Sequence, residues 1–199
     1  MLKENYIALH TTIENINIDN NMTLRVEKSD KIMQFDENTY AKLKNVSFHN
    51  GTIEVKMLSR LLKDAPAFAR GFIGIAYRIK EDDSEFESFY VRPTNGRSCD
   101  DPIRRSHGCQ YFSYPGYTFA YFREFGMGKY EAQVDVDLNE WIDLKADIHD
   151  EIAKFYINNE LVLVVDDMKH GKDARGSVGL FVDIGTEAYY KDLKVVCED

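Results

Sequence analysis

The 199-residue chain carries 34 acids against 25 lysines and arginines, a formal charge of −9, and 12 Tyr, 12 Phe and one Trp. That length suits one domain, residues 1–199, burying about 70% of its unfolded surface with no need of a disulfide or metal staple. The acidic balance excludes the basic face that nucleic acid or an anionic membrane demands, and no run of about 18 apolar residues exists to span a bilayer.

In chain order, 22–27 is a short alternating run. Residues 46–59 read as two strands around His49-Asn50-Gly51, since Asn-Gly accepts positive φ. Ile53, Val55 and Met57 then alternate with Glu54 and Lys56. The one helical candidate, 60–69, is interrupted by Pro66. In 71–79, Ile73, Ile75, Tyr77 and Ile79 share one face, and Gly74, Ala76 and Arg78 the other. In 86–92, Phe89 and Val91 oppose Tyr90 and Arg92.

The second half repeats the signal. Ile142, Leu144, Ala146 and Ile148 are in phase. Residues 154–157 turn at Asn158-Asn159 into 161–165, and the runs 176–182 and 189–196 close the chain. Many short strands and almost no helix predict an all-β, two-sheet antiparallel sandwich or barrel.

Glu140-Trp141-Ile142-Asp143-Leu144-Lys145, Lys154-Phe155-Tyr156-Ile157-Asn158-Asn159, Gly176-Ser177-Val178-Gly179-Leu180 and Ala188-Tyr189-Tyr190-Lys191-Asp192-Leu193-Lys194-Val195 follow one another in an order that resembles the closing strands of concanavalin A-like domains. This lectin/glucanase superfamily includes a laminin-G-like branch. Phe48-His49-Asn50-Gly51-Thr52-Ile53-Glu54 and 71–78 fit the same plan, so the likeness spans roughly 45–196. The nearest branch is that of bacterial candidate glycoside hydrolases of the 3-keto-disaccharide type. The resemblance implies a jelly roll whose concave face holds sugar. It also implies an absence: the Glu-x-Asp-x-x-Glu strand of retaining glucanases is missing, and Glu85-Phe86-Glu87 and Asp135-Val136-Asp137 do not replace it.

Charge is distributed unevenly. Residues 70–123 hold seven of the ten arginines and Lys80 against seven acids, close to +1, which leaves the remainder near −10. Within this region, 90–121 mixes planar hydrogen-bonding groups with rings, the combination that forks sugar hydroxyls and stacks on C–H faces. Arg78, Tyr90, Arg92, Asn95, Gln110 and Tyr114 are the candidate substrate-binding residues, with Arg78 and Arg92 expected to point away from the inter-sheet core. If the site is catalytic, His107 suits a base, Arg105 or Gln110 a carboxylate neutraliser, and Tyr111 a proton donor. The plainer alternative pairs Asp100 and Asp101 with Arg104 and Arg105 in a stiff loop.

The first expectation is therefore a carbohydrate-recognising domain for a polar or anionic oligosaccharide. The alternatives are a glycoside hydrolase or polysaccharide lyase using the same groove, and a non-catalytic protein-interaction module. No cofactor or metal is expected: Gly126-Met127-Gly128-Lys129 lacks P-loop spacing, and zinc and calcium patterns are missing. Cys99, Cys109 and Cys197, odd in number and without useful spacing, read as reduced thiols. With no signal-peptide pattern in residues 1–10, they predict a cytoplasmic protein. Oligomeric state has no signature.

Overall fold

The computed structural model describes residues 1–198. One seven-stranded sheet runs in the order β1 (Tyr6–Leu9), β4 (Tyr40–Leu43), β13 (Ser177–Val182), β6 (Ile73–Ile79), β7 (Phe86–Val91), β8 (Cys109–Tyr114), β9 (Glu131–Ala132). The other runs β12 (Glu160–Val165), β11 (Ile152–Ile157), β10 (Trp141–His149), β5 (Asn50–Leu61), β14 (Thr186–Glu198), β3 (Asn21–Lys28), β2 (Thr11–Ile18). Neighbouring strands pair antiparallel throughout, and the two sheets pack into the expected all-β sandwich. Two short helices, α1 (Pro102–Arg105) and α2 (Phe119–Glu124), lie in the connections flanking β8.

The second sheet obeys the period-two rule. Ile53, Val55 and Met57 of β5 and Ile142, Leu144, Ala146 and Ile148 of β10 are buried, while Lys56, Asp143 and Lys145 between them are exposed. Its apolar side meets Ile75, Tyr77 and Phe89 of the first sheet. Phe89 stacks on Phe155 of β11 with ring centroids 4.2 Å apart.

Tyr190 of β14 crosses the same gap. Its hydroxyl accepts from the Gly74 N–H at 3.3 Å and reaches the Gly74 and Phe181 carbonyls. Burial holds its phenol far above the ordinary tyrosine range. Tyr190→Phe keeps the ring and removes this tie, so it is expected to lower the unfolding free energy by about 1–3 kcal/mol. Urea titration should show the drop at unchanged slope; a loss under about 0.5 kcal/mol would leave the tie without effect.

The first sheet is buried on both faces at its centre, since every residue of β6 and β7 is inaccessible. Away from the second sheet, Tyr90, Phe112 and Phe181 pack ring against ring at 5.3–5.8 Å. The segment 29–39 and the stretch around α2 lie beside this aromatic layer. Phe35 meets Phe72 and Phe119 edge-on, each at 5.6 Å. The fastening is polar: Asp36 donates its N–H to Asp183 Oδ2 (2.9 Å) and accepts from the Phe119 N–H (2.8 Å), and Lys28 pairs with Asp183.

Three expectations are corrected. Residues 46–59 are not a hairpin: β5 is one twelve-residue strand, and residue 48 joins only an isolated bridge to Gly176. Gly51 takes φ +128° because β14 passes so close that a Cβ would sit 2.0 Å from Val196 O. Residues 60–69 form no helix; Arg60 and Leu61 end β5. Third, Arg78 does not project with Gly74 and Ala76. It has φ +52° where the β13–β6 register slips, and its guanidinium donates to His49 O (2.9 Å), Gly171 O (3.3 Å) and Asn50 Oδ1 (3.2 Å). The three cysteines are free thiols, Cys99 and Cys109 buried and Cys197 exposed.

Candidate functional site

β7 ends at Val91, and Arg92 continues the outward alternation begun by Tyr90. Its guanidinium is buried, and four acceptors hold it: Glu131 Oε1 (2.8 Å), His107 O (3.0 Å), Tyr90 Oη (2.9 Å) and Gln110 Oε1 (3.1 Å). Glu131, at the start of β9, also accepts two bonds from Arg123 (2.6 and 3.2 Å). His107 Nδ1 lies 2.9 Å from Glu131 Oε2 but is poorly aligned for a hydrogen bond. Burial alone would push the Glu131 carboxyl up. Arg123 and Arg92 outweigh it and keep the group below the ordinary carboxylate range.

The loop between β7 and β8 forms the next wall. It is pressed so closely on residues 134–137 that a Cβ at Gly96 would sit 1.7 Å from Val136 O. Pro102 opens α1, and Asp101 caps it by accepting from the Ile103 and Arg104 N–H groups. The cap turns Arg104 back over the loop, where it donates to Asn95 Oδ1 and Thr94 O. Asp101 is thus a helix cap. Among the described residues, neither it nor Asp100 pairs with Arg104 or Arg105, so the stiff-loop alternative does not hold as drawn.

These parts enclose a cleft of about 230 Å³ beside the end of β7. Phe35, Phe68, Phe72 and Phe119 supply its rings. Arg70, Arg92, Asn95, Arg104, His107 and Arg123 supply its polar groups. Phe68 sits at the rim, 46% exposed, edge-on to Phe35 at 5.7 Å. Larger hollows exist elsewhere, of about 390 Å³ over Lys56, Asp143 and Lys145, about 690 Å³ beside Lys42, Lys44 and Glu81, and about 500 Å³ beside Tyr6 and Leu193, but none of these three combines aromatic rings with arginines.

Of the residues singled out in the sequence, Arg92, Asn95 and His107 line the cleft. Tyr90 and Gln110 lie beneath it and hold Arg92. Arg105 lies outside the lining, its buried Nε without an acceptor among the described residues. Tyr114 stacks on Phe86 at 5.0 Å, further along the sheet. Tyr111 is on the opposite face. Its hydroxyl donates to the buried Glu87 Oε2 (2.5 Å) and accepts from the Lys169 N–H. His107 and Tyr111 therefore cannot serve one substrate as base and proton donor. The cleft residues the sequence reading did not assign to a site, Phe35, Phe68, Arg70, Phe72, Arg104, Phe119 and Arg123, come mostly from segments outside the strands. The local arginine excess pointed toward the arginines and the 90–121 stretch toward Arg104 and Phe119; nothing pointed toward Phe35, Phe68 or Phe72.

No family model and no curated protein matches this sequence. Solved structures do. The carbohydrate-binding module CBM66 from Bacillus subtilis is 13% identical over 94% of both chains, with a TM-score of 0.57. A candidate glycosyl hydrolase from Parabacteroides distasonis ATCC 8503 is 12% identical over 95% of this chain and 94% of that one, at 0.54. A Bacillus subtilis protein of unknown function with a galectin-like fold is 10% identical over 92% and 86%, at 0.52. The chain has a jelly-roll sandwich fold like theirs. In this jelly roll the outer face of the first sheet is not the open groove the strand pattern suggested. Tyr90, Phe112 and Phe181 fill its middle, Arg78 is absent from it, and the cleft lies at its end.

Proposed function

We propose that this domain recognises carbohydrate, with one sugar unit seated in the cleft against Phe68. The observation that carries the reading is the juxtaposition itself. A half-exposed phenyl ring stands at the rim of a pocket whose other wall is Asn95 and a fan of guanidiniums. Rings offer a face to sugar C–H groups, and planar donors fork neighbouring hydroxyls. The likeness to a carbohydrate-binding module and a candidate glycosyl hydrolase supports the class of ligand.

Recognition fits the chemistry better than hydrolysis. Glycosidases work with two carboxyl groups, one kept protonated as an acid. Glu131 lies behind the cleft wall and is held ionised by Arg123 and Arg92. Asp36 has a raised pKa, but it is fully buried and one of its oxygens is taken by the Phe119 N–H.

Calorimetry against a panel of neutral and charged oligosaccharides tests the proposal. At least one should bind saturably. Phe68→Ala removes a surface ring worth about 1.5–3 kcal/mol when covered, so affinity should fall tenfold or more with little change in melting temperature. An empty panel, or a Phe68→Ala protein that binds as well as the parent, would remove this site.

A further inference from the structure

Four guanidiniums converge on the cleft, and their neutralisation is unequal. Arg92 and Arg123 share Glu131, which also faces His107. Arg70 and Arg104 have no carboxylate within 4.0 Å among the described residues. Arg70 spends Nη1 on the carbonyls of Ala67 and Ala69, both at 2.9 Å, in its own turn. Arg104 spends Nε and Nη2 on Asn95 Oδ1 and Thr94 O. Among the described residues, no group takes the remaining donors of either. Both are half-buried, and Phe35, Phe68 and Phe72 beside them limit the water that could screen their charge. Burial, with Arg104 and Arg92 close by, depresses the Arg70 pKa. Like charges held this near one another, in a chain whose net charge is −9, raise the energy of the empty cleft. A counter-anion would relieve that repulsion.

We infer that the sugar unit taken by this cleft carries an anionic group, a carboxylate or a sulfate ester, which bridges Arg70 and Arg104 while the ring lies on Phe68. The inference rests on the carbohydrate reading and narrows its substrate class. Guanidinium forks match the planar oxygen pair of a carboxylate and two of the oxygens of a sulfate equally well, so the shared chemistry is a singly charged oxyanion on a pyranose or furanose. Arg92 is not part of the fork, because both of its terminal nitrogens are committed inside the protein.

The test is calorimetry with three probes: an oligogalacturonate, a sulfated oligosaccharide and a neutral glucan oligomer. The two charged probes separate carboxylate from sulfate. Binding of at least one charged probe should exceed neutral binding by about tenfold or more. It should also weaken several-fold between about 50 and about 500 mM NaCl. Arg70→Gln and Arg104→Gln should each reduce affinity for that probe about tenfold, a clearly larger drop than either causes for the neutral probe. Arg70 bonds only to its own turn, so Arg70→Gln keeps the test readable if Arg104→Gln disturbs Asn95; thermal melts confirm the fold in both. A neutral probe that binds as tightly as the charged ones, or charged binding that survives both substitutions, overturns the anionic inference and leaves the carbohydrate reading standing. No binding of any probe ends both.

Discussion

Glu131→Ala is expected to lower the unfolding free energy by about 3–5 kcal/mol, the usual cost of leaving a buried charge without its partner. The Arg92 and Glu131 side chains are each 5% exposed and lie 2.8 Å apart. Removing the carboxylate strands the Arg92 guanidinium among neutral acceptors, Tyr90 Oη, Gln110 Oε1 and the His107 carbonyl. It also leaves Arg92, Arg123 and His107 facing one another with nothing negative between them. The companion variant Arg92→Met/Glu131→Leu removes both charges and keeps volume, so it should recover most of the loss. Guanidinium-chloride titration of the single and double variants decides the matter. A single variant within about 0.5 kcal/mol of the parent, or a double variant no better than the single, would mean this charge cluster contributes nothing to the fold.

Between about pH 4 and about pH 7 the stability contributed by Asp36 should fall as pH rises. Burial, and then the charge of Asp183, raise the Asp36 carboxyl from 3.8 to about 7, against the opposing pull of the Phe119 N–H, Arg92 and Tyr90. Lys28 lies on the far side of Asp183. The sign follows from proton counts. Over that range the folded chain holds a proton on Asp36 that the unfolded chain has released. Raising the pH therefore favours unfolding until about 7, with a total effect of a few kcal/mol. Asp36→Asn imitates the protonated form. Its stability should match the parent near pH 4 and exceed it increasingly up to about pH 7. Groups held low, such as Glu131 and Asp167, act in the opposite direction at acid pH but are common to both proteins, so the difference isolates Asp36 and its repulsion of Asp183. Parallel curves for the two proteins from pH 4 to 8 would contradict the assignment.

The second sheet was readable in the sequence because only one of its faces is buried. Ile53, Val55 and Met57, and Ile142 to Ile148, alternate against charged residues in water. The first sheet showed the signal in β6 and β7 but lost it in β8. With both faces covered, Cys109–Tyr114 has no polar phase and reads as part of a long loop, although it is a strand in the sheet interior. Asn50-Gly51 misled for a different reason. The left-handed backbone it permits serves a close approach to β14, not a reversal of the chain. Arg78 was misplaced because alternation presumes an unbroken strand, and the chain bulges at that residue. Arg92, Asn95 and His107 could be found because they sit together in sequence. Phe35, Phe68 and Phe119 meet only when three connections fold onto one spot, and no local pattern encodes that meeting.

Phe35 is carried by a connection whose anchorage is a few side-chain bonds to Asp36 and Lys28, not a ladder of backbone pairs. The specificity of the pocket is therefore separable from the integrity of the scaffold. Residues 30–35 and 62–68 can drift, lengthen or be exchanged between descendants of the same gene at little thermodynamic cost. A lineage could thus explore new ligands at this pocket while the strands stay as they are.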